Sequence, residues 1–218
     1  MSDAALQLAL REGCKALGLE LGEAQLQKLL AYLALLQKWN RVYNLTAVRD
    51  PMQMLHHHLL DSLAAVAPLR RELRAHGHAS GARVLDVGSG GGLPGAVIAI
   101  CCPDLQVTCV DAVVKKVAFI RQVAVSLGQG NLQAVHARVE QLPGHFDVVC
   151  SRAFAALPDF VAWTRALLAP NGFWMAMKGQ HPADEIAALP DQARVFHVEQ
   201  LQVPGLDASR CIVWMEPA

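Results

Sequence analysis

Asp86 to Gly95 reads DVGSGGGLPG, and five of the chain's sixteen glycines fall in its eight-residue core, Gly88 to Gly95. Such density removes Cβ atoms where a ligand approaches the backbone, and the N-terminus of a following helix offers free N–H groups. Pro94 pre-sets the helix entry without removing a needed donor. Asp111 stands 23 residues after Gly88, at the end of the next β-like run, placed for a bidentate hydrogen bond to ribose hydroxyls. Loop, strand context and acid in register point to a nucleoside-containing cofactor rather than to a tight turn beside a strand-end carboxylate. Counted from the strand end, the dinucleotide fingerprint G-x-G-x-x-G needs a glycine where Leu93 stands. A match in register 90–95 starts later and carries Pro94 inside it. That register keeps a NAD-type oxidoreductase open as an alternative.

Such a loop has to be held at the edge of a sheet. ARVLDVG, LQVTCVD, FDVVCSR and GFWMAMK are short apolar or β-branched runs, and LQAVHA is a fifth. Amphipathic segments of helical length, Val113–Leu127 and Leu157–Leu168, separate them. This alternation predicts βαβ units in a doubly wound parallel α/β sheet. RVFHVEQLQV and RCIVWME, joined by PGLDAS, predict a terminal antiparallel strand pair. Ahead of the sheet, Leu26, Leu29, Leu30, Leu33 and Leu36 recur at helical spacing, and Asp50-Pro51 reads as the start of a second helix carrying Leu55, Leu59, Leu60 and Leu63. HGHASG (76–81) reads as a linker. The expectation is an N-terminal helical cap over residues 1–80 and a cofactor-binding domain over 81–218.

With 218 residues, 53% of them apolar and 17% charged, the chain is long and apolar enough for a large core and unlike a disordered segment. Nineteen basic and nineteen acidic residues leave no global field, so any anionic partner has to meet a local patch. Six cysteines show no CxxC pair and no zinc spacing, which suggests reduced, buried thiols and a cytosolic protein. The N-terminus shows no signal peptide pattern, and the uncharged stretch from Val87 to Pro103 is too broken by glycine and proline to span a membrane.

One local patch stands out. From Lys28 to Arg49 there are four basic residues, no acid, both tyrosines (Tyr32, Tyr43) and Trp39. Cations neutralise phosphates and aromatics stack on bases, so the stretch suits RNA; the competing reading packs the aromatics inward and leaves the charges solvated. His57 and His58 lie at helical spacing from Asp61, a pattern that can ligate a metal but more often makes a structural hydrogen bond, and no metal is expected. Cys150 reads as inert in an apolar strand. Lys178 ends a strand, where it either holds a phosphate or caps the strand. Asn44 either orients a ligand or ends a helix.

Glycines at 88, 90 and 92 resemble motif I of the class I S-adenosylmethionine-dependent methyltransferases. LLQKWNRVYNLTAVRD (35–50), HLLDS (58–62), VGSGGGLPG (87–95), SRAFA (151–155) and KGQ (178–180) narrow this further. Together they resemble the bacterial small-subunit rRNA guanine-N7 methyltransferases, also called the glucose-inhibited division protein B family, in order from about Leu26 to Val213. The resemblance implies a class I, Rossmann-like methyltransferase fold. It implies S-adenosyl-L-methionine as cofactor and methylation of guanine 527 in the 530 loop of 16S rRNA, within the small ribosomal subunit or its precursor. A cytoplasmic monomer is expected.

Carried across residue by residue, Gly88, Gly90, Gly92 and Leu93 match the family's cofactor loop, and Asp111 the acid after the second strand. Val139 and Glu140 match its adenine-side contacts, and Arg152 its arginine facing the cofactor. For RNA, the resemblance favours Lys38, Arg41, Arg49 and Arg210, and Lys178 stays a further candidate by its place at the strand end. Two departures are mild: Gly91 stands where many relatives have proline, and His56 and His57 extend the family's single histidine at His58. Guanine N7 carries a lone pair and no proton, so no acid/base catalyst is expected and Arg152 would orient the reactants. A non-catalytic RNA-binding module with a vestigial pocket is a further alternative.

Overall fold

A computed structural model describes residues 3–78 and 80–218; Met1, Ser2 and Ala79, the last inside the predicted linker, lie outside the described residues. Seven strands form one sheet in the order β3-β2-β1-β4-β5-β7-β6: β1 (Arg83–Val87), β2 (Gln106–Asp111), β3 (Leu132–His136), β4 (Phe146–Arg152), β5 (Leu168–Lys178), β6 (Ala193–Leu201) and β7 (Arg210–Pro217). The β1–β2, β1–β4, β2–β3 and β4–β5 pairs are parallel, and β7 runs antiparallel to both β5 and β6. The doubly wound sheet with a terminal antiparallel pair is therefore present. The strand order reverses between β1 and β4. At such a switch point the loops leaving the two strands diverge and open a crevice at their carboxyl ends.

Period-two burial divides the core between the two faces of the sheet. Val84, Cys109, Val148, Met175 and Trp214 point to one face, where α6 (Gly95–Cys101) and α7 (Val114–Ser126) pack; Leu85, Val110, Val149, Trp174 and Val213 point to the other, with α8 (Leu157–Thr164). The N-terminal helices α1 (Asp3–Ala16), α2 (Glu23–Tyr43) and α5 (Val66–Ala75) cover the first face, and their leucines join Val84 and Trp214 in one continuous apolar cluster. On α2, Leu26, Leu29, Leu33 and Leu36 are buried as the helical spacing predicts, each contributing roughly 1.5–3 kcal/mol of burial.

Asp50 caps the next helix by accepting the Gln53 N–H at 2.9 Å. Beyond this cap the chain does not form the single uninterrupted α-helix that the leucine spacing predicts. α3 (Pro51–Met54) passes into a π-helical stretch, Leu55–Leu60, before α4 (Asp61–Leu63). A π turn inserts one residue per turn and re-aims the side chains beyond it. The predicted helix 157–168 is also shorter: after Thr164 the chain makes a 3₁₀ turn, and Leu168 already belongs to β5. A short α9 (Ala183–Ala187) comes after β5. All six cysteines are free and buried, and no helix among the described residues is long and apolar enough to cross a membrane.

Candidate cofactor and base site

The glycine loop leaves β1 with three residues in the left-handed region, Gly88 (φ 64°), Gly90 (φ 59°) and Gly92 (φ 82°). Their missing side chains serve different ends. A Cβ on Gly88 would collide with the ring of Phe154, and one on Gly92 would press on Ala96 and Ile120 at 3.2 Å. Of the three, only Gly90 has open space, with the Gly88 carbonyl oxygen the nearest atom at 3.9 Å. The reading that these glycines clear room for a ligand therefore applies to Gly90. Gly88 and Gly92 instead let the loop close against Phe154, just past β4, and against α6 and α7.

Asp111, at the end of β2, is buried and already engaged. Its Oδ2 accepts the Gly90 N–H at 3.0 Å, its Oδ1 accepts the Val113 N–H at 2.8 Å, and Lys116 Nζ lies 3.5 Å away. A carboxylate oxygen has two lone pairs, so a further donor can take only what these backbone bonds leave. The acid that the spacing assigns to the cofactor also holds the glycine loop. Asp111, Val139 and Glu140 line a cavity of about 380 Å³ together with Phe154 and Trp163. Under the loop, Asp86 is fully buried; its Oδ2 accepts the Gly95 N–H at 2.9 Å, and its Oδ1 has no partner among the described residues. Burial pushes its carboxyl up to about 7 against the lowering effects of the Gly95 N–H and Arg152.

A second cavity of about 560 Å³ shares Gly88, Lys116 and Ala153 with the first and is lined by Leu93, Arg152, Asp61, Lys178 and Arg210. Arg152, at the end of β4, donates from Nη1 to Asp61 Oδ2 at 2.7 Å and to the His57 carbonyl at 3.1 Å. Arg210, opening β7, donates from Nε to Asp61 Oδ1 at 2.7 Å. Lys178 is held by Glu185 at 2.6 Å and by the Ala155 carbonyl at 2.9 Å. Lys178 and Arg210 thus stand in the cavity wall, ion-paired, and not on one solvated face with the α2 cations.

The histidines correct the expectation from spacing. Asp61 is taken by two guanidiniums, so it makes no bond to His57 or His58. His58 Nε2 meets Thr46 Oγ1 at 2.7 Å and His56 Nδ1 meets the Pro204 carbonyl at 3.0 Å. Burial, helped by Arg152, pushes the His58 imidazole down to about 4, which keeps it neutral near pH 7. Among the described residues no group of three His, Cys, Asp or Glu is arranged to hold a metal. Cys150 is fully buried, and burial raises its thiol far above its ordinary range.

On α2 and the loop after it, Lys38, Arg41 and Arg49 are exposed. Tyr32 is not a stacking platform: it is fully buried and its hydroxyl bonds to the Gly91 carbonyl. Trp39 packs on Phe119 with ring centres 5.5 Å apart, and Tyr43 is the exposed aromatic, 42% accessible. Asn44 ends α2 in the left-handed conformation, and its Oδ1 accepts from Arg49 at 3.3 Å. Sequence patterns do not single out Phe154, Trp163, Lys116 or Glu185. Phe154 stands inside the SRAFA motif; Lys116, Glu185 and Trp163 reach Asp111, Lys178 and Phe154 across turns whose course no helical or strand period encodes.

The family described as rRNA small subunit methyltransferase G matches residues 25–213. The chain belongs to that family. It is 66% identical to the ribosomal RNA small subunit methyltransferase G of Acidovorax ebreus, over 100% of this chain and 98% of that protein. It is 60% identical to the protein of the same name from Polaromonas naphthalenivorans, over 97% and 96%. Among solved structures, magnesium protoporphyrin IX methyltransferase of Synechocystis with bound S-adenosylmethionine superposes with a TM-score of 0.60 at 16% identity, over 85% of this chain and 97% of that one. The methyltransferase NodS of Bradyrhizobium japonicum gives 0.59 at 14%, over 84% and 98%. These two likenesses concern the fold. Membership of a methyltransferase family disfavours the oxidoreductase register, whose third glycine, Gly95, opens α6 packed against Asp86 and Cys109.

Proposed function

We propose that this chain transfers a methyl group from S-adenosyl-L-methionine to N7 of guanine 527 in the 530 loop of 16S rRNA, acting as a cytoplasmic monomer on the small ribosomal subunit or its precursor. The observation that carries the reading is the pair of cavities joined at Gly88, Lys116 and Ala153. One is walled by Asp111, Val139 and Glu140, the chemistry of a nucleoside; the other by arginine side chains, the chemistry of an acceptor-rich base. The open face of Gly90 fits a ligand drawn across the switch point.

When bound, S-adenosyl-L-methionine supplies a methyl group already activated by its sulfonium leaving group. Asp111 would take the ribose hydroxyls, Val139 and Glu140 the adenine side, Gly88, Gly90 and Leu93 the span between the cavities, with Gly92 shaping the loop behind it. Arg152 would hold the reacting groups in line. Guanine N7 offers a lone pair without a proton, so no residue has to remove one, and His58, neutral and bonded to Thr46, is not required as a base. Orientation alone can supply up to ~7–11 kcal/mol of such a barrier. Lys38, Arg41 and Arg49 would meet RNA phosphates, with Lys178 and Arg210 at the base.

Transfer of labelled methyl to small-subunit particles, followed by mapping of the modified base, tests the reading. Label at guanine 527 N7 is expected; label elsewhere or none overturns it. Asp111→Asn should weaken cofactor binding measured by calorimetry by about 1.5–3 kcal/mol, the cost of losing charge-assisted hydrogen bonds.

A further inference from the structure

The most buried charge in the larger cavity wall is neither arginine but the carboxylate between them. The side chain of Asp61 is 3% exposed, those of Arg152 and Arg210 are 19% and 24% exposed, and each arginine takes a different oxygen of the carboxylate at 2.7 Å. The three residues come from a helix, the end of β4 and the start of β7. The π-helical stretch just before Asp61 presents the His57 carbonyl to the same Arg152 Nη1. Arg152 is thus clamped at one nitrogen from two directions, and among the described residues its Nε and Nη2 have no protein acceptor. Arg210 spends Nε on Asp61 and Nη1 on the Ser209 carbonyl, which leaves Nη2.

We infer that Asp61 is a positioning residue for methyl transfer, fixing Arg152 and Arg210 so that their unspent N–H donors converge on the six-position oxygen of the target guanine. The inference rests on the proposed guanine-N7 reading. On that edge guanine presents two acceptors, N7 and O6. With N7 turned to the methyl donor, O6 remains for a guanidinium. Adenine carries an amino donor there, which would face another donor. The carboxylate has a second consequence. Methylation leaves a positive charge on the base, and two unneutralised arginines would oppose it; Asp61 cancels one of them. A guanidinium freed from Asp61 keeps its charge but loses its direction, so phosphate attraction survives while alignment does not.

The test is single-turnover methyl transfer to small-subunit particles at saturating cofactor and RNA, with S-adenosylhomocysteine affinity measured alongside. Asp61→Asn should slow transfer ten- to a hundredfold while the S-adenosylhomocysteine dissociation constant stays within twofold. Added to Arg152→Gln, it should cost less than twofold more, because the two residues act as one unit. A rate within twofold of wild type, or penalties that multiply in the double variant, overturns the inference. If Asp61→Asn alone shows no cooperative unfolding transition, Asp61→Glu, which keeps the counter-charge but displaces its oxygens from both guanidiniums, is read in the same way. A wild-type enzyme that leaves small-subunit RNA unmodified overturns the guanine-N7 reading itself, and the inference with it.

Discussion

The hydroxyl of Tyr32 donates a 2.7 Å hydrogen bond to the carbonyl of Gly91, tying helix α2 to the middle of the glycine loop across 59 residues of sequence. Helix α2 and the glycine loop are therefore tied directly to one another. Tyr32→Phe keeps the ring in its packing against Phe119 but leaves a part-buried carbonyl without its donor. A loss of about 1–3 kcal/mol is expected, together with weaker cofactor binding as the loop loosens. Thermal unfolding and calorimetry check both. An unchanged melting temperature and dissociation constant would show that the bond is not coupled to the loop.

Gly90 and Gly92 should separate ligand binding from stability. Both sit at positive φ, where any other L-residue costs about 1–2 kcal/mol. Gly92→Val adds a branched side chain against Ala96 and Ile120, so its melting temperature should fall well below that of Gly90→Ala. Gly90→Ala places its methyl group in open space beside the proposed cofactor path and should lose cofactor affinity with the smaller loss of stability. Unchanged cofactor affinity in Gly90→Ala would mean that the open side of Gly90 does not face the ligand.

The half-buried His58 and the fully buried Asp86 should give stability opposite pH dependences. His58 has its folded value at about 4, below the ordinary 6.5, so the unfolded chain binds the extra proton between them; its contribution is present above pH 6.5 and is lost as pH falls toward 4. Asp86 has its folded value at about 7, above the ordinary 3.8, so the native state binds the extra proton; its contribution is fullest below pH 3.8 and is lost as pH rises through 7. Asp86→Asn should therefore gain on wild type in denaturant unfolding as pH rises from 5 to 8. His58→Gln should gain as pH falls from 7 to 5. A pH-independent difference for either variant removes that group from the account.

The exposed cations are open to a salt test. If Lys38, Arg41 and Arg49 meet phosphates, neutralising any one should weaken RNA binding alike for different sequences. It should also reduce the slope of log affinity against log salt by somewhat under one unit. Cofactor affinity should stay put. Unchanged slopes for all three on small-subunit particles would make this a solvated face and leave RNA to be held at the cavity wall, where Lys178 and Arg210 stand.

The sequence by itself determined what depends on near neighbours in the chain. Period-two apolar runs form strands, leucines three and four apart form the buried side of α2, and Asp50-Pro51 caps its helix, because these patterns act over a few residues. The glycine loop, the acid after β2 and the family motifs are legible for the same reason. Tertiary structure alone decided how the side chains are shared. Spacing makes Asp61 a partner for His57 and His58, because they lie within one helical turn. Two arginines, 91 and 149 residues away, take both of its oxygens, since a buried carboxylate is best satisfied by opposite charge. Gly92 reads as space for a ligand and proves to be space for Ile120, and Tyr32, for which the sequence leaves stacking and inward packing both open, proves to be a strut under the loop. Spacing sets which residues can do chemistry; which atoms they meet depends on contacts between distant segments, and no local period encodes those.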